Sequence, residues 1–147
     1  LLARLRSTPD RLEALLAGLP DSLLRQKAGD DWSPQEHAGH LIDLEDLHLG
    51  RLRDYAAGRP ELRGADLSNR RSHETRWNDD PIGEVLADFR FVRDCLLERL
   101  ESADRNARAL HPRLQQPMSV VDMMEFAAVH DDYHLEMIEN LVRRARG

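Results

Sequence analysis

The chain has 147 residues, the ordinary size of one domain, and at that length a fold can bury roughly 70% of its unfolded surface without a disulfide or metal staple. Apolar residues make up 41% and aromatics 5%, with so few β-branched residues that a large sheet is disfavoured and an all-α chain, one domain over 1–147, is expected. Twenty-one Lys plus Arg against twenty-seven Asp plus Glu give a formal net charge of −6, which opposes phosphate neutralisation and argues against nucleic acid as a partner.

The single cysteine, Cys95, leaves no disulfide framework and fits a reducing compartment, so a cytoplasmic location is expected. Apolar runs fall far short of the ~20 residues that span a bilayer, and Leu1-Leu2-Ala3 lacks the flanks of a signal peptide. An opening leucine in place of methionine is what a longer gene product would give.

Thr8 followed by Pro9 predicts the N-cap and first position of helix one, with Leu12, Leu15, Leu16 and Leu19 on one face and Gly18 and Pro20 ending it. A helical turn over Asp21 to Arg25 leads to a loop through Trp32. Ser33-Pro34-Gln35-Glu36 then combines a serine N-cap, a proline at N1 and a glutamate at N3, so helix two starts at Ser33 and runs to about Ala57. The next twenty or so residues are polar and Arg-rich without periodicity, a long surface loop of the kind that often covers a site.

Asp80-Pro81 opens helix three, with an inward stripe of Ile82, Val85, Phe89, Val92, Leu96 and Leu100 and an end near Ser102. A second long loop, containing Pro112 and Pro117, precedes Ser119. Helix four places Met123, Phe126, Ala127, Met137, Ile138 and Leu141 on one face and finishes in arginines that suit a helix C-terminus. The expected architecture is a four-helix bundle with long loops after helices two and three.

His130 and His134, four apart, put two imidazoles on one face, a turn from each other, where both ring nitrogens can meet one ion. Their phase points them into the bundle, where two core histidines with ordinary hydrogen bonds are the competing reading. A third ligand should come from helix two, which offers His37, His40 and His48. Taking Gln35, Glu36, Gly39, Asp43, Asp46, Gly50 and Asp54 as its exposed arc leaves His37, Glu45 and His48 inward and His40 toward the edge, and periodicity does not choose among the three histidines.

The run Trp32-Ser33-Pro34-Gln35-Glu36-His37-Ala38-Gly39-His40-Leu41-Ile42-Asp43 resembles the W-S-x-x-E-x-x-x-H-L signature of the DinB-like (DNA-damage-inducible) superfamily, and His130-Asp131-Asp132-Tyr133-His134 resembles its H-x-x-x-H on the last helix. The order of elements matches along nearly the whole chain. This resemblance implies a four-helix bundle binding zinc or nickel through His40, His130 and His134. It also implies an activity such as those of the bacillithiol and mycothiol transferases and the mycothiol-dependent maleylpyruvate isomerase.

A three-histidine site leaves a coordination position open. Such an ion can lower the pKa of a low-molecular-weight thiol or of water. The leading expectation is a metal-dependent thiol S-transferase acting on a thiol and an electrophilic substrate. The alternatives are a hydrolase using metal-activated water, and a non-enzymatic metal-binding or interaction protein whose ion staples the bundle, with homodimerisation plausible for such a bundle.

Glu45, Tyr133 and His37 are candidates for orienting a ligand or touching substrate, with core packing or an arginine salt bridge as the ordinary alternative. Trp32 is expected to plug the bundle end, and Trp77, with His73 and Arg76, to border an entrance. The stretch Arg51 to Arg76 reads as a solvated loop that can attract an anionic thiol or carboxylate. Cys95 reads as a small apolar residue.

Overall fold

The computed structural model describes residues 1–147. Its helices are α1 (Leu2–Leu16), α2 (Asp21–Leu24), α3 (Pro34–Ala56), α4 (Arg70–Glu74), α5 (Ile82–Ser102) and α6 (Val120–Ala145). Strands β1 (Arg108–Leu110) and β2 (Pro117–Ser119) pair antiparallel, Ala109 opposite Met118, within the long loop expected after helix three. The long helices α1, α3, α5 and α6 form the bundle: α3 packs on α5 and α6, and α1 packs on the same two, so α1 and α3 lie on one diagonal. No helix is long and apolar enough to cross a membrane.

The capping box read at Ser33 holds. Ser33 accepts from the Glu36 amide while the Glu36 carboxylate accepts from the Ser33 amide, and Ser119 and Asp122 repeat the arrangement at α6. Helix one differs from expectation: it begins at Leu2, and Pro9 lies inside it. A proline there has no N–H for the Leu5 carbonyl. That carbonyl instead accepts from Arg93 Nη1 at 2.9 Å, and Thr8, expected as an N-cap, donates from Oγ1 to Asp131 at 2.8 Å.

Arg93 is fully buried on α5 among the apolar stripe. Its Nε and Nη2 donate to Glu45 of α3, its Nη1 and Nη2 to Asp131 of α6, and its Nη1 to Leu5 O of α1. Guanidinium has five N–H donors, and this set of acceptors uses all of them. The neighbouring carboxylates outweigh burial and hold the Arg93 pKa above its ordinary value, whereas burial raises the Glu45 carboxyl despite Arg93. The polar layer of Thr8, Glu45, Arg93 and Asp131 separates two apolar clusters, one around Leu5, Leu52, Leu96 and Ala127, the other around Leu12, Leu41, Phe89 and Ile138.

Two faces depart from the sequence periodicity. On α6 the buried side runs through Met124, Ala127, Ala128, Asp131, His134, Leu135 and Ile138, and Phe126, expected inward, is 51% exposed. On α3 the supposed exposed arc is largely covered, because the α3–α5 connection wraps over it. Gln35 donates to the carbonyls of Trp77 and Asp80, and Asp54 accepts from the Arg63 amide and its guanidinium. Gly39 admits the Trp77 ring, which occupies the space a Cβ would need.

The connection is correspondingly more ordered than a solvated loop. It contains α4 and a 3-10 turn at Trp77–Asp79, and Leu62 N donates to Leu110 O while Leu110 N donates to Pro60 O, tying it to β1.

Replacing Arg93 by methionine leaves two buried carboxylates without their cation, and should destabilise the protein by about 3–5 kcal/mol in urea unfolding. Arg6→Met, which breaks the exposed pair with Glu101, should cost at most about 1 kcal/mol in the same assay.

Candidate metal centre

Three of the seven histidines converge between α3 and α6. His40, His130 and His134 each offer a ring nitrogen, and these three atoms lie within 4.8 Å of one another. His40 is 3% and His134 4% exposed, and His130 is half-buried. The α6 pair presents Nε2 to Nε2 at 3.3 Å. Of the three α3 histidines left open by periodicity, all are buried, so burial alone does not separate them either.

A relay orients His40. Its Nδ1 is 2.8 Å from Ser72 Oγ on α4, and Ser72 Oγ donates its only proton to Asp43 Oδ2 at 2.7 Å. The serine must therefore accept from His40, which puts the imidazole proton on Nδ1 and leaves the Nε2 lone pair for the cluster. Trp77 Nε1 also donates to Asp43 Oδ2, at 3.1 Å, and Arg71 pairs with the same carboxylate at 3.2 Å.

His37 does the comparable work for His134: the two Nδ1 atoms are 3.0 Å apart and share one proton. When His134 directs an Nε2 lone pair at the cluster, its Nδ1 donates to His37, and the His37 proton sits on Nε2. That Nε2 is buried without a partner, at a cost of about 1–3 kcal/mol that an ion on His134 would offset.

Burial, reinforced by the neighbouring imidazoles, lowers the His40 pKa to about 4, and it moves His134 down in the same way. Burial also lowers His130, against a small opposing pull from Asp131. All three are therefore neutral at pH 7 with lone pairs available. A cluster of three neutral imidazoles from two helices, with the His40 Nε2 lone pair turned toward the other two rings, fits a divalent transition ion.

The cluster opens onto a cavity of about 970 Å³ lined by α3, α6, the α3–α5 connection and the β1–β2 turn. Trp32 roofs it, with its ring 4.5 Å from that of His40 and 5.4 Å from His37. Tyr133 is 57% exposed at the cavity wall, its ring nearly parallel to that of His130.

Residues 4–138 match the DinB superfamily, which accounts for most of the chain. The chain belongs to the DinB superfamily. No functionally curated protein matches it. This DinB protein also superposes on YfiT from Bacillus subtilis, described as a probable metal-dependent hydrolase with an unusual four-helix bundle topology. The TM-score is 0.82 at 17% identity, over 98% of this chain and 85% of that one. At that identity the likeness concerns the fold.

The other sequence candidates of this DinB chain separate cleanly. His37 and Tyr133 border the cluster. Glu45 lies away from the cavity and belongs to Arg93, the salt-bridge alternative. Trp77, expected at an entrance, is 9% exposed and packs on α3 at Gly39 with its indole on Asp43. Trp32, directly before the α3 N-cap, sets its ring on the histidines. Cys95 is half-buried on α5 and does not line the cavity.

Ser72 and Asp43 escaped sequence reading. Asp43 follows His40 by one helical turn, and that spacing on one face was the available signal; Ser72 lies in a segment without periodicity and offered none.

Ser72→Ala removes the acceptor that fixes His40. It should weaken zinc or nickel binding by about 10–100-fold in competition with a chelating dye, with the fold kept. Unchanged affinity would show that the relay does not orient the ligand.

Proposed function

We propose that this protein is a metal-dependent enzyme in which His40, His130 and His134 hold one zinc or nickel ion, and that it transfers the sulfur of a low-molecular-weight thiol to an electrophile. The observation that carries the reading is the convergence of three neutral imidazoles, one of them locked in its Nδ1–H form, at the wall of an open cavity. When bound, a divalent ion supplies a Lewis acid that lowers the pKa of a thiol and raises the fraction of thiolate at neutral pH.

The chain's own residues supply the rest. Ser72 and Asp43 keep the His40 lone pair aimed at the cluster, and His37 does so for His134. Trp32 covers the histidines and excludes water from one side. Tyr133, at the cavity wall beside His130, is placed to contact the electrophile. In the transfer the thiol sulfur forms a bond to carbon, the leaving group departs with its bonding pair, and the thiol proton passes to solvent.

No glutamate lines the cavity, and Asp43, one turn from His40 on α3, is engaged by Ser72, Trp77 and Arg71 and so is not free to act as a base for water. This favours a thiol, which needs less help to ionise than water. The hydrolase reading keeps support from the description of YfiT as a probable metal-dependent hydrolase.

The test is turnover of zinc- or nickel-loaded protein with bacillithiol, mycothiol, glutathione or cysteine and monochlorobimane. A rate above the uncatalysed background, lost in His130→Ala and kept in the surface variant Arg6→Met, is expected. Metal-dependent cleavage of p-nitrophenyl acetate with no thiol transfer would replace the transferase by a hydrolase.

A further inference from the structure

The cavity continues along α3 well beyond the three histidines. His40, Leu44, Leu47, His48 and Arg51 recur on one side of the helix and all line it. A rise of ~1.5 Å per residue sets Arg51 about 16 Å along the helix from His40, close to the same phase. Between these ends the wall carries apolar side chains, Leu44 and Leu47 from α3 and Met123, Phe126 and Ala127 from α6.

Arg51 is 6% exposed, yet its charge has no carboxylate of its own. Its Nε donates to Arg63 O at 3.1 Å, and its two Nη nitrogens donate to no protein group. Asp54, the carboxylate that bears on its charge, is already held by the Arg63 guanidinium fork, with Oδ1 to Nη2 at 2.9 Å and Oδ2 to Nε at 3.0 Å. Arg113, on the β1–β2 turn, adds a second cation to the same wall. His111 Nδ1 accepts from the amides of Arg113 and Leu114 and so holds that turn in place.

A buried guanidinium is stabilised by hydrogen bonds and an opposite charge, and here four N–H donors and a full positive charge are left facing a cavity. Planar, paired N–H groups match a carboxylate in shape.

We propose that the Arg51 end of the cavity is a carboxylate site, which takes the terminal carboxylate of an elongated substrate whose apolar middle lies along Leu44 and Met123 and whose reactive end reaches His40, His130 and His134. The substrate class rests on the proposed function above, whereas the carboxylate site does not depend on a metal being bound. His48, which burial holds neutral, borders the same end as an uncharged hydrogen-bonding group.

The experiment is titration of octanoate and octanol into chelator-treated parent and Arg51→Gln protein by calorimetry, with the Arg51 Nε–H resonance of the parent followed by NMR. Octanoate is expected to bind the parent at least tenfold more tightly than octanol, to shift the Arg51 resonance, and to lose tenfold or more in Arg51→Gln. Octanoate affinity unchanged in Arg51→Gln, or equal affinity for octanol, would overturn the proposal. If Arg51→Gln does not fold, the resonance decides, and no shift at saturating octanoate overturns it.

In zinc-loaded protein, binding that is lost in His130→Ala but kept in Arg51→Gln would place the carboxylate on the histidines. That outcome sinks the carboxylate site and leaves the metal reading standing. Octanoate binding at Arg51 in a protein that takes up no metal would do the reverse.

Discussion

A single guanidinium reaches all four long helices. Arg93 on α5 touches a carbonyl of α1, a carboxylate of α3 and a carboxylate of α6, and all five of its N–H donors find acceptors in a layer closed to water. Such a layer contributes less to net stability than to geometry, because desolvation of the charges offsets much of their attraction. Its effect is to fix register and rotation. Asp131 can meet Arg93 only when α6 is turned so that His130 and His134 flank it on the side facing α3. The kink-prone Pro9 is accommodated because the carbonyl it leaves without an N–H is the one Arg93 needs.

The second constraint is the covering of α3. Its polar residues serve as anchors for the connection that follows it, with Gln35, Asp43 and Asp54 each taking hydrogen bonds from or to that segment. Because Ser72 and Trp77 converge on Asp43, the placement of the connection and the tautomer of His40 are one problem. Gly39 is part of the same arrangement, since any side chain there would displace the Trp77 ring. Site and scaffold thus share residues along the length of α3, down to Arg51, whose Nε holds the connection and whose Nη atoms face the cavity.

The helices were legible where local signals decide them. The capping box at Ser33, the end of helix two near Ala57, and the pair His130 and His134 could all be read directly. What failed was decided by tertiary partners. Pro9 marked a helix start only on the assumption that the Leu5 carbonyl had nowhere else to go. The arc through Gln35, Asp43 and Asp54 looked solvated because those side chains are polar, whereas they bond to a segment distant in sequence. Arg93 sat within an apolar stripe and gave no sign that two carboxylates on other helices were waiting for it. The residues themselves narrowed the third histidine to three; the family resemblance named His40, and the geometry brings His40 to the α6 pair while His37 supports His134 from behind.

All the chemistry proposed for the cavity depends on the three converging imidazoles holding a metal ion. Elemental analysis of untagged protein, beside the His130→Ala variant prepared identically, tests it most directly. The prediction is about one zinc or nickel per chain in the parent and a large loss in the variant, as expected when one of three ligands is removed. A parent that carries no metal and takes none up when offered zinc or nickel would contradict the claim and make the cluster a packing feature of the bundle.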